Sequence, residues 1–157
     1  MSSTSTQTAA VATTAMHCTT VREAMHPGIV ACTPTATLAE VAHIMASCQV
    51  HSVSVVAAAP AGPPSISGIL SDADLLRWAT AGSARLPAGA IASETGAWVA
   101  PDASVQEAAD VMTERGVTHL VVVDTDRHVP LGIISALDVA KILARSGVAD
   151  PAEAGAS

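Results

Sequence analysis

The sequence is poor in aromatic and basic residues. It has no Phe or Tyr and only two Trp among 157 residues, so aliphatic side chains must form most of its core. The shortage of aromatics also removes the stacking platforms on which single-stranded nucleic acids are usually bound. Seven Lys and Arg stand against fourteen Asp and Glu, the formal net charge is −7, and no basic cluster is present. This composition argues against a nucleic-acid partner.

Long apolar runs and paired cysteines are also missing. No apolar run approaches the roughly 20 residues that a membrane span needs, which predicts a soluble protein without a membrane partner. The three irregularly spaced cysteines, Cys18, Cys32 and Cys48, do not indicate a disulfide framework and fit a reducing cytoplasm. Residues 1–18 are rich in Ser, Thr and Ala without the marks of a targeting segment. We therefore expect a disordered N-terminal tail at 1–18 and a flexible C-terminal tail at 148–157.

The chain contains an internal repeat. The segment Gly68–Asp74 (GILSDAD) returns as Gly132–Asp138 (GIISALD). Upstream of these motifs, equivalent residues lie at a constant offset of 67, as from Pro34 to Pro101. The first copy has a longer, Pro- and Gly-rich connecting loop, so the offset between equivalent residues is smaller beyond that loop. Two copies indicate a duplicated module, not a solenoid.

Within each copy the pattern changes between helix and strand. Thr37–Glu40 and Ser104–Glu107 have the spacing of a capping box, so a helix is predicted to begin at each. Gly116 is placed to end the second helix, whereas Gln49 stands at the equivalent place in the first, where a different helix end is expected. The other predicted elements are strands at 29–31, 52–56, 66–70, 97–99, 120–123 and 131–134, and helices at 72–80 and 136–145.

These elements define an α/β fold. It consists of two β-α-β-β-α repeats, at residues 19–82 and 83–147, packed by pseudo-twofold symmetry into one compact module. The 52–56 strand alternates apolar and polar residues, which predicts one buried face. The 120–123 strand is an unbroken apolar run, which predicts burial on both faces.

The repeats resemble a known family. The order of VREAM at Val21–Met25, Pro34, a capped helix ending near Met45, a Val-rich strand and GILSDAD resembles the cystathionine β-synthase (CBS) domain. The duplication is similar to the tandem CBS pair called a Bateman module, over about residues 20–145. The resemblance implies a regulatory module that is not an enzyme and needs no cofactor. It also implies a ligand that contains adenosine (AMP, ADP, ATP, S-adenosylmethionine or NAD), held in clefts between the halves, with signalling by conformational or oligomeric change in a homodimer or to a regulated protein.

The resemblance assigns the ribose contacts to Ser71 and Asp74 in one copy and to Ser135 and Asp138 in the other. An ionised carboxylate can accept hydrogen bonds from two vicinal hydroxyls, and a helix start favours a nearby anion. The same Ser-x-x-Asp spacing is also that of a helix cap, which needs no ligand. Both interpretations stay open at the level of sequence.

The phosphate and base positions follow the same resemblance. Members that bind nucleotides well carry His, Arg or Lys at the start of the second strand of each copy, where this chain has His51 and His119. A partly charged His is a weaker phosphate anchor than Arg, which favours adenosine-like or monophosphate ligands over ATP. The base pocket would be lined by Ile29, Val30, Ala97 and Trp98. Trp98 either stacks on a purine or fills space among small residues.

The sequence is also compatible with two other functions. The first is a structural or interaction CBS pair that binds no ligand and acts through dimerisation. The second, with weaker support, is a metal-binding protein, because Cys48-x-x-His51 has a ligand-like spacing. Cys48 also falls on the apolar stripe of its predicted helix, which favours packing over metal binding.

Overall fold

A computed structural model describes residues 3–94 and 97–147. The described helices are α1 (Ser3–Cys18), α2 (Val21–Ala24), α3 (Leu38–Cys48), α4 (Asp72–Thr80), α5 (Ala88–Ile91), α6 (Val105–Arg115) and α7 (Ala136–Gly147). The described strands are β1 (His26–Pro27), β2 (Ala31–Cys32), β3 (Ser52–Ala57), β4 (Ser65–Ser71), β5 (Ser93–Glu94), β6 (Trp98–Val99), β7 (His119–Asp124) and β8 (Val129–Ser135). The predicted β-α-β-β-α repeat is confirmed in both copies. The expected flexible tail at 148–157 lies outside the described residues.

The chain divides into two compact units. The first unit is Gly28–Ala97, and the second unit combines Met1–Pro27 with Trp98–Ser157. The sheet order is β2-β3-β4-β5 in the first unit and β1-β8-β7-β6 in the second. In each sheet the first strand of the repeat runs parallel to the second, and the other pairings are antiparallel.

These units do not divide where the sequence repeats were predicted to divide, after residues 18 and 82. The segment that precedes the first repeat joins the second unit, because β1 pairs with β8. The segment that precedes the second repeat joins the first unit, because β5 pairs with β4. Both β1 and β5 are two residues long, too short to give a periodic signal in the sequence.

One close approach explains the glycine of the second repeated motif. β1 crosses β8 with His26 opposite Ile133 and Pro27 opposite Gly132. A Cβ atom at Gly132 would overlap the carbonyl group of His26. The motif therefore begins with glycine so that the backbone of β1 can lie against the strand.

Three sequence predictions were wrong in detail. Residues 3–18 form α1, not a disordered tail: the segment has no Gly or Pro, α1 packs against α6 and α7, and Met16 is 7% exposed. Gln49 ends α3 in the same left-handed conformation that Gly116 uses for α6, with φ 52° and 63°. In the 52–56 strand, Ser54 is buried between buried Val53 and Val55, so the predicted alternation is absent, and its hydroxyl has no partner among the described residues.

The helix caps are formed as predicted. The side chain of Thr37 accepts from the backbone of Glu40, whose carboxylate accepts from the Thr37 backbone at 2.7 Å, and the Ser104–Glu107 pair repeats the arrangement. A third box, Thr20–Glu23, begins α2. In all three boxes the hydrogen bonds from the cap backbone and hydroxyl lower the pKa of the glutamate below its ordinary value.

These lowered pKa values predict an acid-sensitive contribution to stability. A carboxyl whose pKa is lower in the folded chain than in the unfolded chain stabilises the fold at pH values above its unfolded pKa. This contribution is lost as the pH falls through the folded pKa. Glu40→Gln should therefore lower the urea midpoint at pH 7 and leave it nearly unchanged at a pH below the folded pKa of Glu40, where the wild-type carboxyl is protonated too. The control is Glu114→Gln, at an exposed position in the last turn of α6. Equal effects of Glu40→Gln at both pH values would contradict this account.

Candidate functional site

The first candidate site lies where β4 passes into α4. Ser71 is the N-cap of α4, and its hydroxyl accepts from the backbone N–H of Asp74. In return, Oδ2 of Asp74 accepts from the backbone N–H and the hydroxyl of Ser71, each at 2.9 Å. The capping alternative considered for this motif is thus realised. Capping uses only one of the two carboxylate oxygens.

The second oxygen of Asp74 remains available. Among the described residues Oδ1 accepts no hydrogen bond, and the nearest cation is Nη1 of Arg77 at 3.9 Å. The Asp74 side chain is 13% exposed, whereas that of Arg77 is 72% exposed. A carboxylate oxygen has two lone pairs, so Oδ1 can accept from one or two further donors.

The second candidate site, at Ser135 and Asp138, has the same cap but a different surrounding. Oδ2 of Asp138 accepts from the backbone N–H and the hydroxyl of Ser135, each at 2.8 Å. Its Oδ1 lies 3.0 Å from Nε2 of His26 and 3.7 Å from Nζ of Lys141. The Asp138 side chain is only 3% exposed. Both oxygens of this carboxylate are therefore engaged within the protein.

The two histidines proposed for phosphate contacts differ in position. His119 is in β7, opposite Ser135, whereas His51 precedes β3, where Ser52 stands opposite Ser71. Nδ1 of His51 lies 3.1 Å from Oδ2 of Asp72, and Nδ1 of His119 lies 2.9 Å from the hydroxyl of Thr118. Each histidine is thus in the same unit as its predicted serine partner. Nδ1 of His51, however, already lies within hydrogen-bonding distance of the carboxylate of Asp72.

The residues proposed for the base pocket lie near the first strand of each repeat. Ile29 and Val30 are half-buried just before β2, and the carbonyl of Val30 accepts from the N–H of Ser54 at 2.8 Å. Ala97 is half-buried at the end of the first unit. Trp98 begins β6 opposite Val121 and is 53% exposed, so it fills no core space. Their role in binding a base stays a prediction.

Three residues near the sites were not found from the sequence. His26 and Lys141 lie against Asp138, and Asp72 lies against His51. His26 is 112 residues from Asp138 along the chain, and the two-residue strand that carries it has no pattern. The repeat offset of 67 was the available signal, because it aligns His26 with Ser93 and marks a difference between the copies.

The cysteines carry no indication of metal chemistry. In residues 3–94 and 97–147 no three His, Cys, Asp or Glu side chains are grouped as they would be around a metal ion. Cys48 is exposed, so its predicted place on the apolar stripe of α3 is wrong. Cys32 is in the core of the first unit, and burial raises the pKa of its thiol. Within the described segments, none of the helices has the length and apolar character to cross a membrane.

The fold and these motifs define a class of duplicated α/β modules. The sequence profile of the CBS domain matches residues 21–81 and 89–145, so the chain belongs to the CBS domain family. Among solved structures it is similar to the CBS domain of a bacterial CNNM/CorC family Mg²⁺ transporter (19% identity, 96% of this chain and 88% of that one, TM-score 0.70).

Two further structures have the same fold. Hypoxic Response Protein I, solved with two coordinated zinc ions, is 26% identical over 78% of this chain and 98% of that one, with a TM-score of 0.61. The CBS domain pair of protein MJ0100, in complex with 5′-methylthioadenosine and S-adenosylmethionine, is 17% identical over 81% and 97%, with a TM-score of 0.69. No curated protein matches the chain. The chain is thus a tandem CBS pair, a type of module that is generally regulatory and not catalytic.

Proposed function

We propose that this protein is a regulatory module that binds an adenosine-containing ligand at the start of α4. The observation that carries the proposal is the available Oδ1 of Asp74, fixed in place because Oδ2 is held by the Ser71 cap. Two vicinal hydroxyls of a ribose are suitable donors to one such oxygen. The cap fixes the carboxylate before the ligand arrives, which reduces the entropy lost on binding.

The charges around Asp74 favour a particular kind of ligand. The first turn of α4 carries two acidic residues, Asp72 and Asp74, and Asp72 is 55% exposed. Like charges repel, so a triphosphate next to Asp72 is disfavoured. A neutral or cationic group at the 5′ position avoids this repulsion. We therefore propose 5′-methylthioadenosine or S-adenosylmethionine as the ligand class, with AMP weaker and ATP weakest.

We propose that ligand binding changes the conformation or self-association of the protein. Exposed leucines on two helices support a role in self-association: Leu76 on α4 is 69% exposed and Leu137 on α7 is 56% exposed. Each lies within two residues of a candidate aspartate, so a ligand at that helix start is close to the apolar surface. An effect on oligomeric state requires that the ligand bind one state more tightly than the other.

Calorimetric titration of the Asp74→Asn variant tests the proposed function. The wild-type protein should bind 5′-methylthioadenosine, and Asp74→Asn should weaken that binding by about tenfold or more because a charged acceptor is lost. Asp110→Asn, which changes an exposed carboxylate on α6, is the matched control and should bind like the wild type.

Thermal melting distinguishes the alternative of a CBS pair without a ligand. A bound ligand must also raise the melting temperature, by the equivalent of about 2.7 kcal/mol at a hundredfold excess over its Kd. If 5′-methylthioadenosine, S-adenosylmethionine, AMP and ATP all leave the melting temperature unchanged, the structural module is the better account. Equal affinities for wild type and Asp74→Asn would remove Asp74 from the site.

A further inference from the structure

At the second candidate site, a histidine of the protein lies where a ribose hydroxyl would donate to the aspartate. Nε2 of His26 lies 3.0 Å from Oδ1 of Asp138, within hydrogen-bonding distance. Because an ionised carboxylate can only accept, the ring nitrogen is the donor. The imidazole thus makes at Asp138 the contact that a ribose hydroxyl would make at Asp74.

The backbone fixes His26 in this position. β1 pairs with β8, which leads directly into Ser135 and α7, and His26 stands opposite Ile133. Gly132 allows the close approach, since any Cβ there would overlap the carbonyl of His26. The His26 side chain is 68% exposed, whereas the Asp138 side chain is 3% exposed. The imidazole therefore covers the carboxylate from the solvent side.

The first unit has a different residue at the same register. β5 pairs with β4 so that Ser93 stands opposite Ile69, as His26 stands opposite Ile133. Serine has a much shorter side chain than histidine. At the first site Oδ1 of Asp74 accepts no hydrogen bond from any described residue, and Asp74 is more exposed than Asp138. The two units thus differ both in the residue type at this register and in whether Oδ1 of the aspartate already has a partner.

We propose that His26 selects between the two sites. It donates a hydrogen bond to Oδ1 of Asp138, the atom that would otherwise accept from a ribose hydroxyl, and so confines an adenosyl ligand to the Asp74 site. This inference rests on the proposed function, because it assumes that the ligand contacts the aspartate through ribose hydroxyls. A ligand at Asp138 must first displace the imidazole, which is tethered beside its acceptor and so has a high effective concentration. Its affinity there is lower than at an uncovered aspartate by about a hundredfold or more, so this site stays empty at ligand concentrations that fill the Asp74 site.

Stoichiometry of 5′-methylthioadenosine binding tests this inference. By calorimetry the wild type should bind one molecule per chain, and His26→Ser, which copies Ser93, should bind two. In an Asp74→Asn background the wild-type histidine should leave almost no binding, His26→Ser should restore one site, and adding Asp138→Asn should abolish it. His43→Ser, at an exposed histidine of α3, is the matched control and should bind one molecule.

A second variant distinguishes the loss of the hydrogen bond to Asp138 from a general structural effect of replacing His26. His26→Gln keeps an N–H donor on the side chain, so its second site should stay closed and its stoichiometry should stay at one. Melting curves confirm that each variant is folded. If His26→Ser is folded and gains no site, or if the wild type already binds two molecules, the inference is overturned.

The outcomes also separate this inference from the proposed function. One wild-type site that Asp74→Asn removes, with no gain in His26→Ser, keeps the proposed function and overturns the role of His26. A wild type that binds nothing, with a His26→Ser site that depends on Asp138, overturns the Asp74 site and supports the role of His26. No binding by either protein overturns both.

Discussion

Replacing Gly132 with alanine is expected to destabilise the protein by about 3 kcal/mol or more, a large effect for one methyl group. The added Cβ would overlap the carbonyl of His26, and both atoms belong to paired strands, so no flexible side chain can move aside. β1 must separate from β8 to accommodate it. Urea unfolding measures the change as a lower midpoint with a similar slope.

The control for this variant is Gly116→Ala. Gly116 has φ of 63°, but a Cβ there has nothing within 4 Å, so only backbone strain opposes the alanine. That strain amounts to about 1–2 kcal/mol. A Gly132→Ala variant no less stable than Gly116→Ala would show that β1 does not lie against β8 as described.

Loss of β1 also removes His26 from Asp138, so a folded Gly132→Ala protein should gain a second ligand site.

Asp138→Ala is expected to destabilise the protein by about 2–4 kcal/mol, against about 1 kcal/mol for Asp74→Ala. Asp138 is almost fully buried and accepts from both Ser135 and His26, so its removal breaks the helix cap and the contact with His26 and leaves a buried space unfilled. Asp74 supports only its helix cap and is more exposed. Parallel urea denaturation of the two variants measures the difference.

The comparison of these two alanine variants separates structure from function. Asp138 mainly supports the structure and Asp74 is proposed mainly to bind ligand, although the two residues are equivalent in the repeat. Asp74→Ala should therefore lose ligand while it stays nearly as stable as the wild type. Equal losses of stability would mean that the His26 contact adds nothing to the cap at Asp138.

Local patterns in the sequence were enough to predict the elements that depend on neighbours in the chain. The capping boxes at Thr37 and Ser104 mark the starts of α3 and α6, because cap and partner are three residues apart. Gly116 marks the end of α6 for the same reason. The repeated Ser-x-x-Asp motif likewise marked both candidate sites.

Features that depend on distant residues were not predicted. α1 has no clear apolar stripe, and its packing against α6 and α7 depends on residues about a hundred positions away. The difference between Asp74 and Asp138 depends on His26, which no local pattern connects to α7. The equivalence of the two motifs in sequence therefore suggested two similar sites, whereas their surroundings differ.

A crystal structure of the wild-type protein grown with 5′-methylthioadenosine would show which aspartate holds the ribose. We expect one ligand per chain, with a ribose hydroxyl donating to Oδ1 of Asp74 and with His26 still hydrogen-bonded to Asp138. A ribose bound to Asp138 with His26 displaced, or a ligand that contacts neither carboxylate, would contradict this expectation.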